Sequence, residues 1–75
     1  MEIIVKTFAT LSQFQPENSD NYPAPDDATV QDIRDELNIP VDELRIIFVN
    51  GVHATLETPL KNGDRVGFFP AVGGG

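Results

Sequence analysis

Cysteine is absent from the 75 residues of this chain. Without a thiol, the chain can form no disulfide and offers neither a thiolate nucleophile nor a thiolate ligand for zinc. Its single histidine, His53, has no second histidine at a spacing typical of metal ligands. We therefore expect no bound metal and interpret His53 as a surface or packing residue.

Basic residues are scarce, with five Lys and Arg against twelve Asp and Glu, so the net charge is −7. Nucleic acids and anionic membrane surfaces attract proteins through cationic patches, and the sequence contains no cluster of basic residues. The charge balance argues against both as partners. It agrees equally well with a basic protein partner, attracted electrostatically, and with a role in solubility alone.

Long apolar runs are also missing, because none approaches the roughly 20 residues that a membrane-spanning helix needs. The first residues, MEIIVKTF, lack the basic start and extended apolar core of a signal peptide. We expect a cytoplasmic location. A hydrophobic content of 40% over 75 residues predicts one small domain, near the lower size limit for folding on a core alone.

A self-contained active site is not recognisable in the sequence. The many carboxylates fall in segments that resemble loops or a solvated helix face, where charge runs are common. A catalytic pair needs surroundings that separate the two pKa values, and so small a domain has little room for them. No phosphate-binding glycine loop or nucleophile elbow is present. We predict that the chain is not itself an enzyme.

Secondary-structure patterns begin with a strand over residues 2–8, in which Ile3 and Val5 share one face. The other face mixes charged and apolar residues, and we interpret it as partly covered, with partner contact as the alternative. Residues 9–27 give the weakest pattern. Leu11 and Phe14 predict a short helical turn, and Pro23 permits only an edge strand near residues 21–24.

A helix is predicted over residues 29–38, where Thr29 followed by Asp32 resembles a capping box. Its apolar stripe, at i, i+3 and i+7, consists of Val30, Ile33 and Leu37. A helix this short needs packing to persist. We expect the stripe to lie against a sheet.

Strands follow at 45–49, predicted to be central because it is the most apolar, at 52–56 and at 65–69. The pair Asn50-Gly51 predicts a hairpin between the first two. This order of elements does not close into repeated βαβ units. The class is therefore α+β, a mixed sheet of four to five strands with one main helix packed across it.

The chain ends in VGFFPAVGGG, in which Pro70 marks the end of the last strand. We predict a domain over residues 1–70 and a flexible tail over 71–75. Five extended residues reach at most about 17 Å, enough to carry the terminal carboxylate of Gly75 into another protein's active site. Gly73 and Gly74 would let the tail thread a narrow passage, although glycine-rich ends also fray without any function.

The terminal carboxylate is the distinctive reactive group of this chain. A carboxylate is a poor electrophile at neutral pH, but an acyl adenylate is a good one because AMP is a competent leaving group. A sulfur donor can displace AMP to give a thiocarboxylate, and an amine can displace it to give an isopeptide. The residues alone leave both routes open.

The segment RIIFVNGVHATLETPLKNGDRVGFFPAVGGG, with the helix start ATVQDIRDEL, resembles the small sulfur-carrier proteins of ubiquitin-like β-grasp fold. That group includes the small subunit of molybdopterin synthase and the thiamine-pathway carrier. The resemblance implies adenylation of Gly75 by a ubiquitin-activating-enzyme-like adenylyltransferase that uses ATP, with no cofactor bound by the chain. It further implies sulfur delivery to an acceptor, with molybdopterin synthase large subunit as the leading destination and thiazole synthase as the alternative.

Two other functions remain open at this point. The chain would be a protein modifier if Gly75 formed isopeptides, and an interaction module if the tail were inert. For any of these, we predict a partner interface on the outer sheet face and the start of the tail, with apolar residues surrounded by acids. Its residues are Phe68, Phe69, Pro70, Ala71 and Val72.

Overall fold

The architecture is taken from a computed structural model, which describes residues 1–71. One mixed sheet contains five strands in the order β2-β1-β5-β3-β4. The elements are β1 (Glu2–Thr7), a 3₁₀ helix (Ala9–Phe14), β2 (Tyr22–Pro23), α1 (Val30–Leu37), β3 (Leu44–Val49), β4 (Val52–Ala54) and β5 (Arg65–Pro70). The predicted α+β class, the mixed sheet and the single main helix are confirmed.

The centre of the sheet is β5, which runs parallel to β1 on one side and antiparallel to β3 on the other. The prediction that residues 45–49 form the central strand is therefore wrong. That strand, β3, lies between β5 and β4 and exposes Arg45 and Ile46. Apolar content did not identify the centre because part of that content in β3 faces outward.

Helix α1 begins and ends as its sequence indicates. The Thr29 backbone N–H donates to Asp32 Oδ2 at 2.9 Å, which confirms the predicted capping box. At the other end Asn38 adopts a left-handed conformation, with φ of 62°. Val30 and Ile33 are fully buried, whereas Leu37 is only half-buried and packs against the core from its margin.

The first turn of α1 is held by the segment that precedes β5. The N–H of Val30 donates to Thr58 O at 3.0 Å, and that of Gln31 donates to Leu56 O at 2.9 Å. These two donors have no partner inside the helix, so the carbonyl groups of this segment accept the hydrogen bonds that water would otherwise accept. Leu60, in the same segment, is buried. The contacts fix where the helix crosses the sheet.

The core fills the space between α1 and one face of the sheet. Alternate residues of β1 and β5 point into it, and the largest fully buried side chains are Phe68, Ile3, Leu11, Ile33, Ile39, Val5, Val30 and Val66. Ile47 of β3 completes this face. The predicted packing of the helix stripe against the sheet is confirmed for Val30 and Ile33.

Residues 9–27 contain the two short elements predicted there, the 3₁₀ helix with Leu11 buried and the edge strand β2, paired with β1. The hydroxyl of Tyr22 in β2 donates to the Glu36 carboxylate on α1. Burial raises the pKa of Tyr22 far above its usual range, and the hydrogen bond and charge of Glu36 raise it further. This bond ties the edge strand to the helix.

Within residues 1–71, no helix is both long enough and apolar enough to span a membrane.

Candidate functional site

The face of the sheet opposite α1 carries aromatic side chains from three separate parts of the chain. Phe8 directly follows β1, Phe48 belongs to β3 and Phe69 belongs to β5. Strand register brings them together, because Gly67 of β5 is paired with Lys6 on one side and with Phe48 on the other. Neighbours in a sheet at paired positions share a face.

The three rings contact one another in well-defined geometries. Phe8 stacks on Phe69 with ring centroids 4.2 Å apart and planes inclined by 5°. Phe48 meets Phe69 edge to face at 5.6 Å and 89°. His53 in β4 extends the cluster, with its ring 5.9 Å from Phe48. Offset stacked and edge-to-face contacts are the favoured arrangements of aromatic pairs.

Gly67 forms the floor beneath these rings. A Cβ at this position would lie 3.2 Å from Cε1 of Phe69 and 3.5 Å from Cε2 of Phe8. The absence of a side chain therefore lets the rings lie directly over the backbone of β5, a common reason for glycine inside a strand. Phe8, Phe48, Gly67 and Phe69 are called the outer aromatic patch below.

An open pocket of about 310 Å³ lies over the patch. Besides the four patch residues, Lys6, Gly51 and Arg65 line it. The lining therefore contains two cations and no carboxylate. The lining of this pocket therefore differs from the predicted arrangement of apolar residues surrounded by acids, because the strand register places both basic residues beside the rings. For the interface as a whole, that arrangement stays a prediction.

The surroundings of the patch are accessible. Phe8 is 41% exposed, and Ile46, opposite Phe69 in the register, is 37% exposed. Lys6 donates from Nζ to Asp20 Oδ1 at 2.9 Å in a surface ion pair. Soluble proteins usually cover large apolar side chains that adjoin one another, so a partly exposed cluster of this kind is typical of an interaction surface.

The predicted interface residues are divided between the two faces of β5. Phe69 and Pro70 are half-buried, and Ala71, the last residue described, is exposed. Phe68 is 0% exposed and lies in the core, which corrects its assignment to the interface. Consecutive strand residues point to opposite faces, so Phe68 and Phe69 cannot both reach a partner.

The remaining predicted site residues, Val72, Gly73, Gly74 and Gly75, lie outside the described residues. The predicted division between a domain at 1–70 and a tail at 71–75 consequently stays a prediction. In the described part of the chain, no group of three or more His, Cys, Asp and Glu is placed to hold a metal ion.

Sequence reasoning missed most of the outer aromatic patch. It noted that one face of β1 mixes charged and apolar residues, and Lys6 and Phe8 lie on that face. It did not predict that this face lies beside Phe48 and Gly67, because that proximity depends on the parallel pairing of β1 with β5. A glycine between two apolar residues in the last strand was the one local signal available.

Comparisons with known proteins agree on the fold. The family model described as the ThiS family matches residues 5–75. SAMP1 from Haloferax volcanii has a TM-score of 0.76 at 26% identity, with all of both chains covered. The putative molybdopterin converting factor, subunit 1, from Pyrococcus furiosus has a TM-score of 0.75 at 26% identity, covering 96% of this chain and 99% of the other.

The HVO 2177 protein of Haloferax volcanii has a TM-score of 0.78 at 28% identity, covering 100% of this chain and 87% of the other. No curated protein sequence matches the chain. The match to the family model extends over nearly the whole chain, and the shared fold is the one assembled above from strand order and helix packing. The chain belongs to the ThiS family of ubiquitin-like sulfur carriers with the β-grasp fold.

Proposed function

We propose that this chain carries sulfur as a thiocarboxylate on Gly75 and delivers it for the biosynthesis of molybdopterin, the organic part of the molybdenum or tungsten cofactor. The observation that carries the proposal is the family match, which continues through the glycines to residue 75. The similarity to a putative molybdopterin converting factor subunit favours this destination over thiazole synthesis for thiamine, which stays the alternative.

The chemistry requires two steps at the terminal carboxyl group. In the first, a carboxylate oxygen of Gly75 attacks the α-phosphorus of ATP, giving the acyl adenylate and pyrophosphate. In the second, hydrosulfide attacks the carbonyl carbon, the bond to AMP breaks so that AMP leaves, and loss of the remaining proton gives the thiocarboxylate. The chain contributes the carboxyl group and a docking surface, while the partner binds ATP and catalyses both steps. On this account the chain is a co-substrate and not an enzyme.

Membership of the family implies activating and acceptor enzymes as partners in general terms. We propose a ubiquitin-activating-enzyme-like adenylyltransferase as the first and molybdopterin synthase large subunit as the second, with thiazole synthase as its alternative. Because adenylation consumes ATP, we place the reaction in the cytoplasm. Presenting the purified thiocarboxylate to each acceptor separately, and measuring sulfur transfer, distinguishes the two destinations.

The test is a reaction of the chain with the adenylyltransferase, ATP and a sulfur donor, followed by mass spectrometry. We expect a gain equal to the difference between sulfur and oxygen, located in the C-terminal peptide and dependent on ATP. Locating the gain is essential because oxidation of Met1 gives nearly the same nominal shift. A gain that appears without ATP, or elsewhere in the chain, would contradict the proposal.

Two variants serve as controls for that reaction. Deleting Gly75, or adding one residue after it, should abolish the gain while the far-ultraviolet circular dichroism stays unchanged. Displacing a reacting atom by about 1 Å can reduce a rate on the order of 100-fold, and these changes displace it further. If the extended chain is modified as efficiently as the original, the terminus is not the site of the chemistry and the tail is inert.

A second function, protein modification through Gly75, is favoured by the similarity to SAMP1. Another solved structure with this fold, also from H. volcanii, is named small archaeal modifier protein 1. An amine on a target would then take the place of the sulfur donor. Modification predicts larger species on denaturing gels, which resist reductant and disappear when Gly75 is deleted. A pure sulfur carrier yields no such species.

A further inference from the structure

We infer that residues 15–24 cover the outer edge of β1 and so keep the chain monomeric. When this segment opens, the edge pairs with β1 of a second copy of the chain. The segment is called the edge cover below. The inference is independent of the proposed function and follows from the hydrogen bonds of β1, the contacts of the edge cover and the sequence of β1.

The outer edge of β1, which faces away from β5, has a regular partner strand over only part of its length. Strand β2 consists of two residues and pairs with the first two residues of β1. Farther along, the N–H of Val5 donates to Ser19 O at 2.8 Å. The N–H of Thr7 donates to Gln15 Oε1 at 2.7 Å. Ser19 and Gln15 lie outside the strands, so irregular backbone and one side chain take the place of a longer β2.

Alternate residues of β1 direct their N–H groups towards the edge cover. Those of Ile3, Val5 and Thr7 face it. The N–H of Ile4 instead donates on the β5 side, to Asp64 O at 2.8 Å. Unpaired N–H and C=O groups along the edge of a sheet are a template for another strand. By pairing with these groups, the edge cover removes such a template from a strand rich in β-branched residues, which favour sheets.

Few contacts hold the edge cover along β1. Exposed Gln15 accepts from both the N–H and the hydroxyl of Thr7 through the same oxygen, each at 2.7 Å. Lys6 donates to Asp20 in a surface ion pair, a type that contributes little to stability. Within residues 15–21, no residue is buried. This part of the edge cover can therefore separate from β1 without loss of core packing.

The far end of the edge cover is held more firmly. Tyr22 and Ala24 are buried in the core, and the Tyr22 hydroxyl donates to the Glu36 carboxylate on α1. Opening the whole edge cover requires the release of these contacts. We therefore expect the original chain to stay closed and monomeric, and weakening of these contacts to favour the open form.

The sequence of β1 is complementary to itself in one antiparallel register. Placing Ile4 opposite Ile4 of a second copy generates a two-fold axis. Ile3 then lies opposite Val5, and the N–H groups of both face the shared edge, as an antiparallel ladder requires. Glu2 lies opposite Lys6 on each side of the axis, so opposite charges pair across the strands. The strand therefore matches a second copy of itself both in hydrogen bonds and in charge.

An opened chain tests the inference, with Gln15→Ala and Tyr22→Phe combined in the full sequence. The two changes remove the bonds to Thr7 and to Glu36 while an aromatic ring remains in the core. Amide hydrogen exchange at low protein concentration measures opening, and sedimentation velocity over a range of concentrations measures association. Gln15→Ala alone, at an exposed position, gives the same readouts if the double variant does not fold.

We expect the amides of Val5 and Thr7 to exchange about tenfold or more faster in the opened chain than in the original at low concentration. At high concentration we expect a dimer, in which the amide of Val5 is protected again. The inference is wrong if exchange at these amides is not faster, if the opened chain stays monomeric, or if the original chain associates equally well.

Charge exchange identifies the interface of the dimer. Added to the opened chain, either Glu2→Lys or Lys6→Glu places like charges opposite each other, and each should weaken the dimer by about tenfold or more. Mixing these two variants brings opposite charges together at both pairs and should restore association. Dimers of unchanged strength in either variant, or a mixture that does not associate, would show that another surface is involved and would contradict the inference.

Discussion

At the residue scale, Phe68 and Phe69 show that a shift of one position along a strand moves a side chain from the core to the opposite face of the sheet. They are adjacent in β5, yet Phe68 is fully buried against α1 and Phe69 lies in the outer aromatic patch. The pleat of the strand alone accounts for this division. Alternation along a strand places Phe68 on the same face as Val66, whereas the sequence analysis assigned both phenylalanines to the interface.

Replacing each of these phenylalanines by alanine should therefore have opposite consequences. Phe68→Ala should lower the free energy of unfolding by about 3–5 kcal/mol, because it leaves a cavity in the core. Phe69→Ala should lower it by less than about 2 kcal/mol, because Phe69 is only half-buried, and should weaken binding of the adenylyltransferase. Urea unfolding and calorimetry measure the two effects; a Phe69→Ala variant that unfolds would show that the patch is structural.

Tyr22 provides a residue-scale prediction about pH. Its pKa is raised in the folded protein by burial, and by the hydrogen bond and charge of Glu36, but is about 10 in the unfolded chain. Below about pH 10 both states keep the proton, and the contribution is fully present. Above it, the unfolded state loses the proton first, so the free energy of unfolding should fall by up to about 1.4 kcal/mol per pH unit.

The matched variant for that titration is Tyr22→Phe. It should be less stable by about 1 kcal/mol at neutral pH, since one hydrogen bond is lost. It should also show a shallower decline at alkaline pH than the original chain. Urea unfolding at a series of pH values measures both, and parallel declines would mean that Tyr22 is not the titrating group.

Helix α1 is the element that sequence patterns described best, because its ends depend on contacts between near neighbours. The contacts that begin and end the helix, made by Thr29, Asp32 and Asn38, involve residues only a few positions away. Such contacts can be predicted without knowing the fold. The stripe was less certain, since burial depends on what lies opposite. Leu37, the last residue of the stripe, reaches the margin of the sheet and is only half-buried.

Alanine substitutions along the stripe should reproduce this gradient. Ile33→Ala should lower the free energy of unfolding by about 2–5 kcal/mol, as expected for a fully buried aliphatic residue. Leu37→Ala should cost about half as much, because less apolar surface returns to water. Urea midpoints measure both changes. Equal losses would show that α1 is rotated about its axis relative to the orientation described here.

Strand order was the element-scale property that sequence could not supply. The hairpin at Asn50 and Gly51 was predictable because these two residue types tolerate the positive φ that a tight turn needs. Their φ angles are 54° and 80°. The position of β5 between β1 and β3 was not, since it depends on pairing between the two ends of the chain. The contacts of the outer aromatic patch between β1 and β5 could not be predicted for the same reason.

For the whole molecule, composition predicted one small domain with a core and no thiol chemistry. It failed to predict the distribution of charge, because a net charge of −7 says nothing about which face carries the few cations. Lys6 and Arg65 are 59 positions apart in the sequence and share one pocket only through the register of β1 and β5. The candidate docking surface is thus a property of the assembled sheet.

The parallel pairing of β1 with β5 also sets the mechanical behaviour of the domain. Ile4 pairs with Arg65 and Thr7 with Phe68, so the two strands run side by side, and the start of β1 and the end of β5 lie at opposite ends of the pair. Tension between Met1 and Ala71 loads the hydrogen bonds of this pair together, in shear. Tension between Met1 and Tyr22 would instead open the short β1–β2 pair.

We expect single-molecule extension between Met1 and Ala71 to require clearly more force than extension between Met1 and Tyr22. Equal forces would show that the β1–β5 pair is not the mechanical clamp. The pairing has a consequence for any machine that pulls on the chain from its carboxyl end. A force applied at that end acts first on the hydrogen bonds between β1 and β5, which resist it best. A carrier pulled by its tail into an active site would therefore stay folded.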